Sequence, residues 1–201
     1  FGEAFTLLEN RGSSGTLPGI DAGGEPVELS LPEDLYVIGT MNLIDQSVEQ
    51  MDFALRRRFL WRPCEFERDP IVEVNRERWS SYAPRRYGWD RAEEDIDRLA
   101  ERAEALNREI AASSHLGGQY ALGHTYYFDA AFLIGNWLQG RKQLRGGVLW
   151  RKPGKPQKPL EDLWTLSLKP VLDQYLEGID PIAAREEIER LREVLFDAEA
   201  S

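Results

Sequence analysis

At 201 residues, 42% hydrophobic and 30% charged, the chain can bury one sizeable core or one domain and a smaller one; its composition excludes a fibrous repeat, a disordered tail and a disulfide scaffold. Its net charge of −10, from 25 basic and 35 acidic residues, excludes a surface that grips nucleic acid all round, while leaving room for a local basic patch. The single cysteine, Cys64, excludes an internal disulfide and a cysteine-built zinc site and points to a reducing, cytoplasmic compartment; no apolar run nears the roughly 20 residues of a membrane span, and no signal-peptide pattern opens the chain.

The chain opens in what reads as mid-helix, with Phe1, Ala4, Phe5 and Leu8 on one face, so a piece of a larger domain is expected. Residues 11–34 are rich in Gly, Ser and Pro and read as loop, with a small hairpin near Val27 to Leu31. "LYVIGT", Leu35 to Thr40, is nearly all apolar, the mark of a strand covered on both faces in a parallel sheet. Ser47 then opens a helix as N-cap, with Gln50 three residues on completing a capping box, and the helix runs to about Arg58. "FLWRPCEF" is a second short strand candidate, and Pro70 starts a helix through about Trp79.

From Asp90 to Ala112 the pattern is strongly helical. Asp90 is expected to cap, Glu93 to complete the box, and Ile96, Leu99, Ala103, Leu106 and Ile110 to form the buried stripe. "HLGGQYALGHTYYFD" breaks that helix, "AAFLIGNWLQG" forms another, and "RGGVLWRKPGKPQKP" reads as a mobile, solvated loop, with contact of its basic "RKPGKPQKP" part to DNA or a partner as the other reading. Helices are expected at about 160–176 and 181–198, the first preceded by Pro159 and the second opened by Asp180-Pro181. The first third is α/β in character and the rest nearly all helix, with a boundary near residue 67. Trp61, Trp137, Trp150 and Trp164, with Tyr126, Tyr127 and Phe128, read as core, Cys64 as a small buried hydrophobe, and His115 as a loop residue.

The stretch from Leu35 to Phe59 concentrates the chemistry. Ligands of an open parallel sheet bind beyond the carboxyl ends of its strands, and Asn42 and Asp45 follow Thr40 directly in that position. On the helix from Ser47, Val48, Met51 and Leu55 form the buried stripe. Arg57 points almost opposite it, Arg56 lies on its flank, and Arg58 falls back toward it. Asp52 and Arg56 form an i,i+4 pair in the favourable order, a matter of a few tenths of a kcal/mol. Cations at a helix C-terminus are favoured by the macrodipole at about 0.3–1 kcal/mol each, which is the plain alternative to a functional role.

"GTMNLIDQSVEQMDFALRRRF", Gly39 to Phe59, closely resembles the sensor 1 to arginine-finger segment of McrB-type AAA+ proteins, the nucleotide-hydrolysing subunits of modification-dependent restriction systems. It matches the fixed positions of their pattern at Met41, Asn42, Asp45, Ser47, Asp52, Ala54, Leu55, Arg56, Arg57, Arg58 and Phe59. "FGEAFTLLE" resembles the family's helix after the Walker B strand. "LNREIAASSHLGGQYALGHTYYFD" and "LEDLWTLSLKPVLDQYL" resemble segments of its helical lid. The 201 residues contain no G-x-x-x-x-G-K-[ST] and no acidic Walker B pair, both of which lie upstream in the family. The fold the resemblance implies is the C-terminal portion of an α/β P-loop NTPase of the AAA+ class. Residues 1–67 would carry the last parallel core strands, and 68–201 a mostly helical lid subdomain.

The resemblance implies roles. Asn42, as sensor 1, would orient the attacking water, with Asp45 nearby; the other readings are a strand-end cap for Asn42 and a local hydrogen bond at the helix start for Asp45. Arg57, with Arg56, would be an arginine finger completing a neighbouring subunit's site, which requires a head-to-tail ring, implied to be a hexamer. His124 falls near where sensor 2, ordinarily an arginine, contacts nucleotide; a packed, hydrogen-bonded histidine is its other reading. The implied cofactor is Mg-ATP or Mg-GTP, with its main binding motifs upstream, and this portion alone is expected to be inactive; no protein metal site is expected. The implied partners are further copies of the chain, an McrC-like nuclease subunit and DNA, with no membrane. Two alternatives stay open: a non-catalytic helical assembly module, and a MoxR-like or dynein-related AAA+ ATPase without a restriction role.

Overall fold

The computed structural model describes residues 16–20, 24–32, 34–40, 59–152 and 154–197. The chain divides into two compact units, Phe1–Pro63 and Cys64–Ser201. The expected helices at 1–10 and 47–58, and with them Asn42, Asp45, Arg56 and Arg57, lie outside the described residues.

In the first unit, β1 (Thr16–Ile20) and β2 (Pro26–Ser30) form an antiparallel hairpin, with Thr16 opposite Ser30 and Ile20 opposite Pro26. Gly24 adopts φ +88 on the approach to β2, a conformation that glycine reaches without a Cβ penalty. The hairpin expected near Val27 is therefore present, and its partner strand is the segment read as loop. Leu35 to Thr40 corrects the expectation of a doubly covered strand: it is irregular, and Tyr36 and Ile38 are 83% and 94% exposed. Such a run is a buried strand only between neighbouring strands, and among the described residues the only pairings are those of two antiparallel hairpins. "FLWRPCEF" is likewise irregular. Its Cys64 is exposed rather than buried, and Trp61 is half exposed rather than core.

The second unit is helical. α1 (Asp69–Tyr82) has Pro70 in its first turn, where the missing N–H is harmless, and ends before Pro84. A 3₁₀ turn, Trp89–Arg91, precedes α2 (Glu93–Ala112). Ala92 occupies the N-cap position and Asp90 sits inside the turn, so the expected Asp90 cap is not made. The expected stripe is made in full: Ile96, Leu99, Ala103, Leu106 and Ile110 are all completely buried, each large aliphatic adding about 1.5–3 kcal/mol. Two 3₁₀ turns, Gly118–Tyr120 and His124–Tyr127, lead into α3 (Ala130–Gln139). α1 packs on both α2 and α3, and α2 on the last helix.

The segment read as a solvated loop is instead docked. Val148, Leu149 and Trp150 are buried, and β3 (Trp150–Lys152) pairs with β4 (Lys155–Pro156) in a short hairpin. Its abundant Gly, Pro and Lys mask an apolar anchor too short for any periodicity to reveal, of which Trp150 alone reads as core from the sequence. α4 (Lys158–Leu163) and α5 (Lys169–Tyr175) are joined by a π-helical segment, Trp164–Leu168. The widening falls where Pro170 has no N–H to donate to Leu166 and its ring would strike that carbonyl in a regular α-helix. α6 (Pro181–Phe196) starts as expected: the Asp180 side chain accepts from the N–H groups of Ile182 at 3.0 Å and Ala183 at 3.1 Å. Among the described residues no helix is long and apolar enough to cross a membrane.

Candidate functional site

Of the five site residues expected from the sequence, Asn42, Asp45, Arg56, Arg57 and His124, the described structure places His124. It lies on the 3₁₀ turn His124–Tyr127, in a connection between two helices that tertiary contacts must fix, because an isolated turn of this length has no stability of its own. Two buried amides do so. Asn107, from α2, donates to the Leu122 carbonyl at 2.9 Å and accepts from the Leu122 N–H at 2.8 Å. Asn75, from α1, donates to the Tyr127 carbonyl at 3.0 Å and to the Ile71 carbonyl at 2.8 Å, and accepts from the Ala131 N–H at 2.7 Å. The segment from Leu122 to Ala131 is thus tied at both ends, and His124 sits between the ties.

Around His124 the packing is aromatic. Its ring lies 6.5 Å from Phe66 and 5.7 Å from Phe128, and Phe66 also meets Tyr127 edge-on at 6.4 Å. The Arg78 guanidinium donates to the Phe128 carbonyl at 3.3 Å, lies 5.9 Å from the Phe128 ring and pairs with Asp129 at 3.6 Å. The histidine is half-buried, and its Nδ1 is fully buried with no hydrogen-bond partner among the described residues. The Tyr127 hydroxyl is also buried with no partner among the described residues, and burial pushes this phenol well above its usual range. Two such atoms on one short turn are unusual, since leaving a buried polar group unmet costs about 1–3 kcal/mol. The ring is thus packed among aromatics, and its Nδ1 meets no hydrogen-bond partner among the described residues.

The amides were not singled out in the sequence, although a signal exists. Asn75 falls four residues after Ile71 and four before Trp79, inside a buried face, and Asn107 falls between the buried Ala103 and Ile110. A polar residue within an apolar stripe is a hydrogen-bonding position, not a surface one.

A second fixed region lies at the β3–β4 hairpin. The buried Asp95 carboxylate accepts from the Leu149 N–H at 2.8 Å, and a Cβ at Gly147 would come within 2.2 Å of its Oδ2. Burial raises the Asp95 pKa above its usual value, while hydrogen bonds from the backbone of Leu149, Val148 and Trp150 and the nearby Arg98 oppose the rise. The Trp150 indole N–H donates to the Phe196 carbonyl at 3.0 Å, tying the hairpin to the end of α6.

With this geometry in place, the chain can be set beside known proteins. It is similar to a restriction-enzyme subunit. The relative is the type IV methyl-directed restriction enzyme EcoKMcrB subunit of Escherichia coli (strain K12), 28% identical over 134 residues that make up 63% of this chain and 26% of that protein. The chain thus matches about a quarter of that relative's length. No protein-family model and no solved structure matches it.

Proposed function

We propose that the chain is the C-terminal portion of an McrB-like AAA+ NTPase that hydrolyses ATP or GTP between the subunits of a ring and drives DNA restriction with a nuclease partner. The observation that carries this reading is the unbroken match of Gly39 to Phe59 to the sensor 1 and arginine-finger pattern, in a chain related in sequence to a restriction-enzyme subunit.

In this reading the nucleotide, with its magnesium ion, supplies the phosphoryl group and its charge neutralisation. Asn42 hydrogen-bonds the water that attacks the terminal phosphate, and Asp45 completes the polar edge beside it. Arg57, aided by Arg56, enters the adjacent subunit's site, where its guanidinium neutralises charge developing on the phosphoryl oxygens; such a finger is worth about 10³–10⁵ in rate. His124 contacts the nucleotide from the helical unit. Its fit to that role rests on the half-buried ring, held on a turn tied at both ends.

The test uses the full-length protein in its assembled state. Arg57→Ala is expected to lower NTP hydrolysis by at least about 10³-fold with nucleotide affinity retained. Mixing it with Asn42→Ala subunits is expected to restore part of the activity, because each supplies what the other lacks. His124→Ala is expected to weaken nucleotide binding instead. Hydrolysis by Arg57→Ala at the parental rate would overturn the reading.

A further inference from the structure

The second unit carries a cationic groove whose lining includes none of the residues assigned to hydrolysis above. From Ala130 to Leu160 the sequence contains no Asp or Glu, in a chain whose net charge is −10. Arg141, Lys142 and Arg145 precede the β3–β4 hairpin, and Arg151, Lys152 and Lys155 lie on it. The fold gathers three of these into one concavity of about 390 Å³, lined by Trp137, Arg141, Gln143, Arg145, Arg151 and Gln157. No carboxylate contributes to its wall. Among the described residues Arg141, Arg145 and Arg151 form no salt bridge, whereas Arg78, Arg98 and Arg190 on the helices each pair with a carboxylate.

The groove is built rather than incidental. Gly146 takes φ +83, and a Cβ there would come within 2.3 Å of the Arg151 carbonyl, so the loop crosses the hairpin at a distance only glycine allows. The Gln157 amide donates to the carbonyls of Gly147 at 2.7 Å and Arg145 at 3.4 Å. The Gly147 N–H donates to the Trp150 carbonyl at 2.9 Å. On the other wall the Arg86 guanidinium donates to the carbonyls of Leu138 at 3.0 Å and Arg141 at 2.7 Å, closing the end of α3. The Tyr87 hydroxyl donates to the same Arg141 carbonyl at 3.2 Å. The Arg141 guanidinium stacks 4.1 Å over Trp137, which orients it without neutralising it. Each lining arginine therefore extends from a fixed backbone.

The chemistry selects the ligand. Planar guanidinium forks match phosphate oxygens, and glutamine amides add neutral donors. A protein partner needs an apolar anchor at the centre of its interface, and the only aromatic here, Trp137, is half-buried and already covered by Arg141. The lysines neighbouring the lining arginines in sequence extend positive charge beyond one phosphate, which favours a polymer. The acidic remainder of the chain does not cancel this field, because at physiological salt charges more than about 8 Å away are screened.

We propose that this groove holds the phosphodiester backbone of nucleic acid through Arg141, Arg145 and Arg151, without reading base sequence. The assignment stands apart from the hydrolysis reading: either can fail while the other holds.

The test is fluorescence anisotropy of a labelled 20-base-pair duplex titrated with the 201-residue chain between 50 and 200 mM salt. The triple variant Arg141→Gln/Arg145→Gln/Arg151→Gln is expected to bind at least about ten-fold more weakly at 50 mM salt. The slope of log affinity against log salt is expected to fall by about 2–3, close to 0.9 for each phosphate no longer neutralised. Arg185→Gln, an exposed arginine on α6, is expected to bind within two-fold of the parent. All the substituted side chains are exposed, so thermal midpoints should agree; if the triple variant does not fold, Arg145→Gln and Arg151→Gln singly should each lower the slope by about one. The assignment is overturned if the parent shows no binding at 100 µM chain, if the variants match the parent in affinity and slope, or if an acidic polyglutamate peptide binds the groove more tightly than the duplex.

Discussion

Asn107 on α2 and Leu122 in the following connection exchange two hydrogen bonds, one in each direction, so that a single buried amide replaces the pairing a neighbouring strand would give. The Leu122 side chain is itself completely buried. The start of the His124 turn is thereby set by the side chain of a residue 15 positions earlier. Helix packing fixes Asn107, Asn107 fixes Leu122, and Leu122 fixes where the turn can begin.

Removing that amide strands a buried N–H and a buried carbonyl, each worth about 1–3 kcal/mol. Asn107→Ala is expected to lower unfolding stability by roughly 3 kcal/mol in urea titrations. Asn107→Asp keeps an acceptor for the Leu122 N–H but sets a carboxylate against its carbonyl, and is expected to be no better than alanine at neutral pH. A loss under about 0.5 kcal/mol for Asn107→Ala would show that the turn is fixed by something else.

Gly135 is where α3 crosses the end of α1. A Cβ at this position would come within 2.7 Å of the Tyr82 backbone carbon and oxygen, neither of which can move without shifting the helix. Gly135→Ala raises helix propensity by about 1 kcal/mol, yet the overpacking term of about 1–3 kcal/mol opposes it. Net destabilisation with a lowered thermal midpoint is expected. Gly140→Ala, with open space around its position, is expected to leave the midpoint within a degree or two.

The sequence exposes what repeats and hides what does not. The α2 stripe from Ile96 to Ile110 was legible because five apolar residues recur at helical spacing, and the α6 start because Asp180-Pro181 is a local signal. Beside Trp150, which reads as core by residue type, the anchor at Val148 and Leu149 was not, because so short a run has no period and its neighbours are turn-formers. Leu35 to Thr40 misled for the converse reason: composition describes what a segment can bury, while burial itself depends on neighbouring strands that the segment does not encode. His124 stood out as a residue type in a motif. Its unsatisfied nitrogen, and the amides that hold its turn, depend on packing between segments more than 50 residues apart in the case of Asn75 and could be read only from the fold. The basic groove lies between these cases: its charge was visible in sequence, and its concavity was not.

Glu187 on α6 supplies a pH test of the α2–α6 contact. Its carboxylate accepts from Arg190 Nε at 3.0 Å and Nη2 at 2.8 Å, and Arg190 also pairs with Glu109 on α2. The Arg190 hydrogen bonds hold the Glu187 carboxyl below its usual pKa, more than burial raises it. A depressed carboxyl pKa means the unfolded chain binds the proton first on acidification, so the contribution is complete above the ordinary glutamate range and is lost as pH falls through the folded value. Asp95 has the opposite sign, since its raised pKa favours the folded state's taking up the proton, but it is common to both chains in a parent-against-variant comparison. Glu187→Gln is therefore expected to be less stable than the parent at pH 7, by on the order of 1 kcal/mol for a partly exposed charged pair. The gap should close as pH falls below the ordinary glutamate range, with urea midpoints at pH 7, 5 and 3 as the measurement. A gap that stays constant or widens toward acid would mean that the glutamate packs at this contact without pairing there.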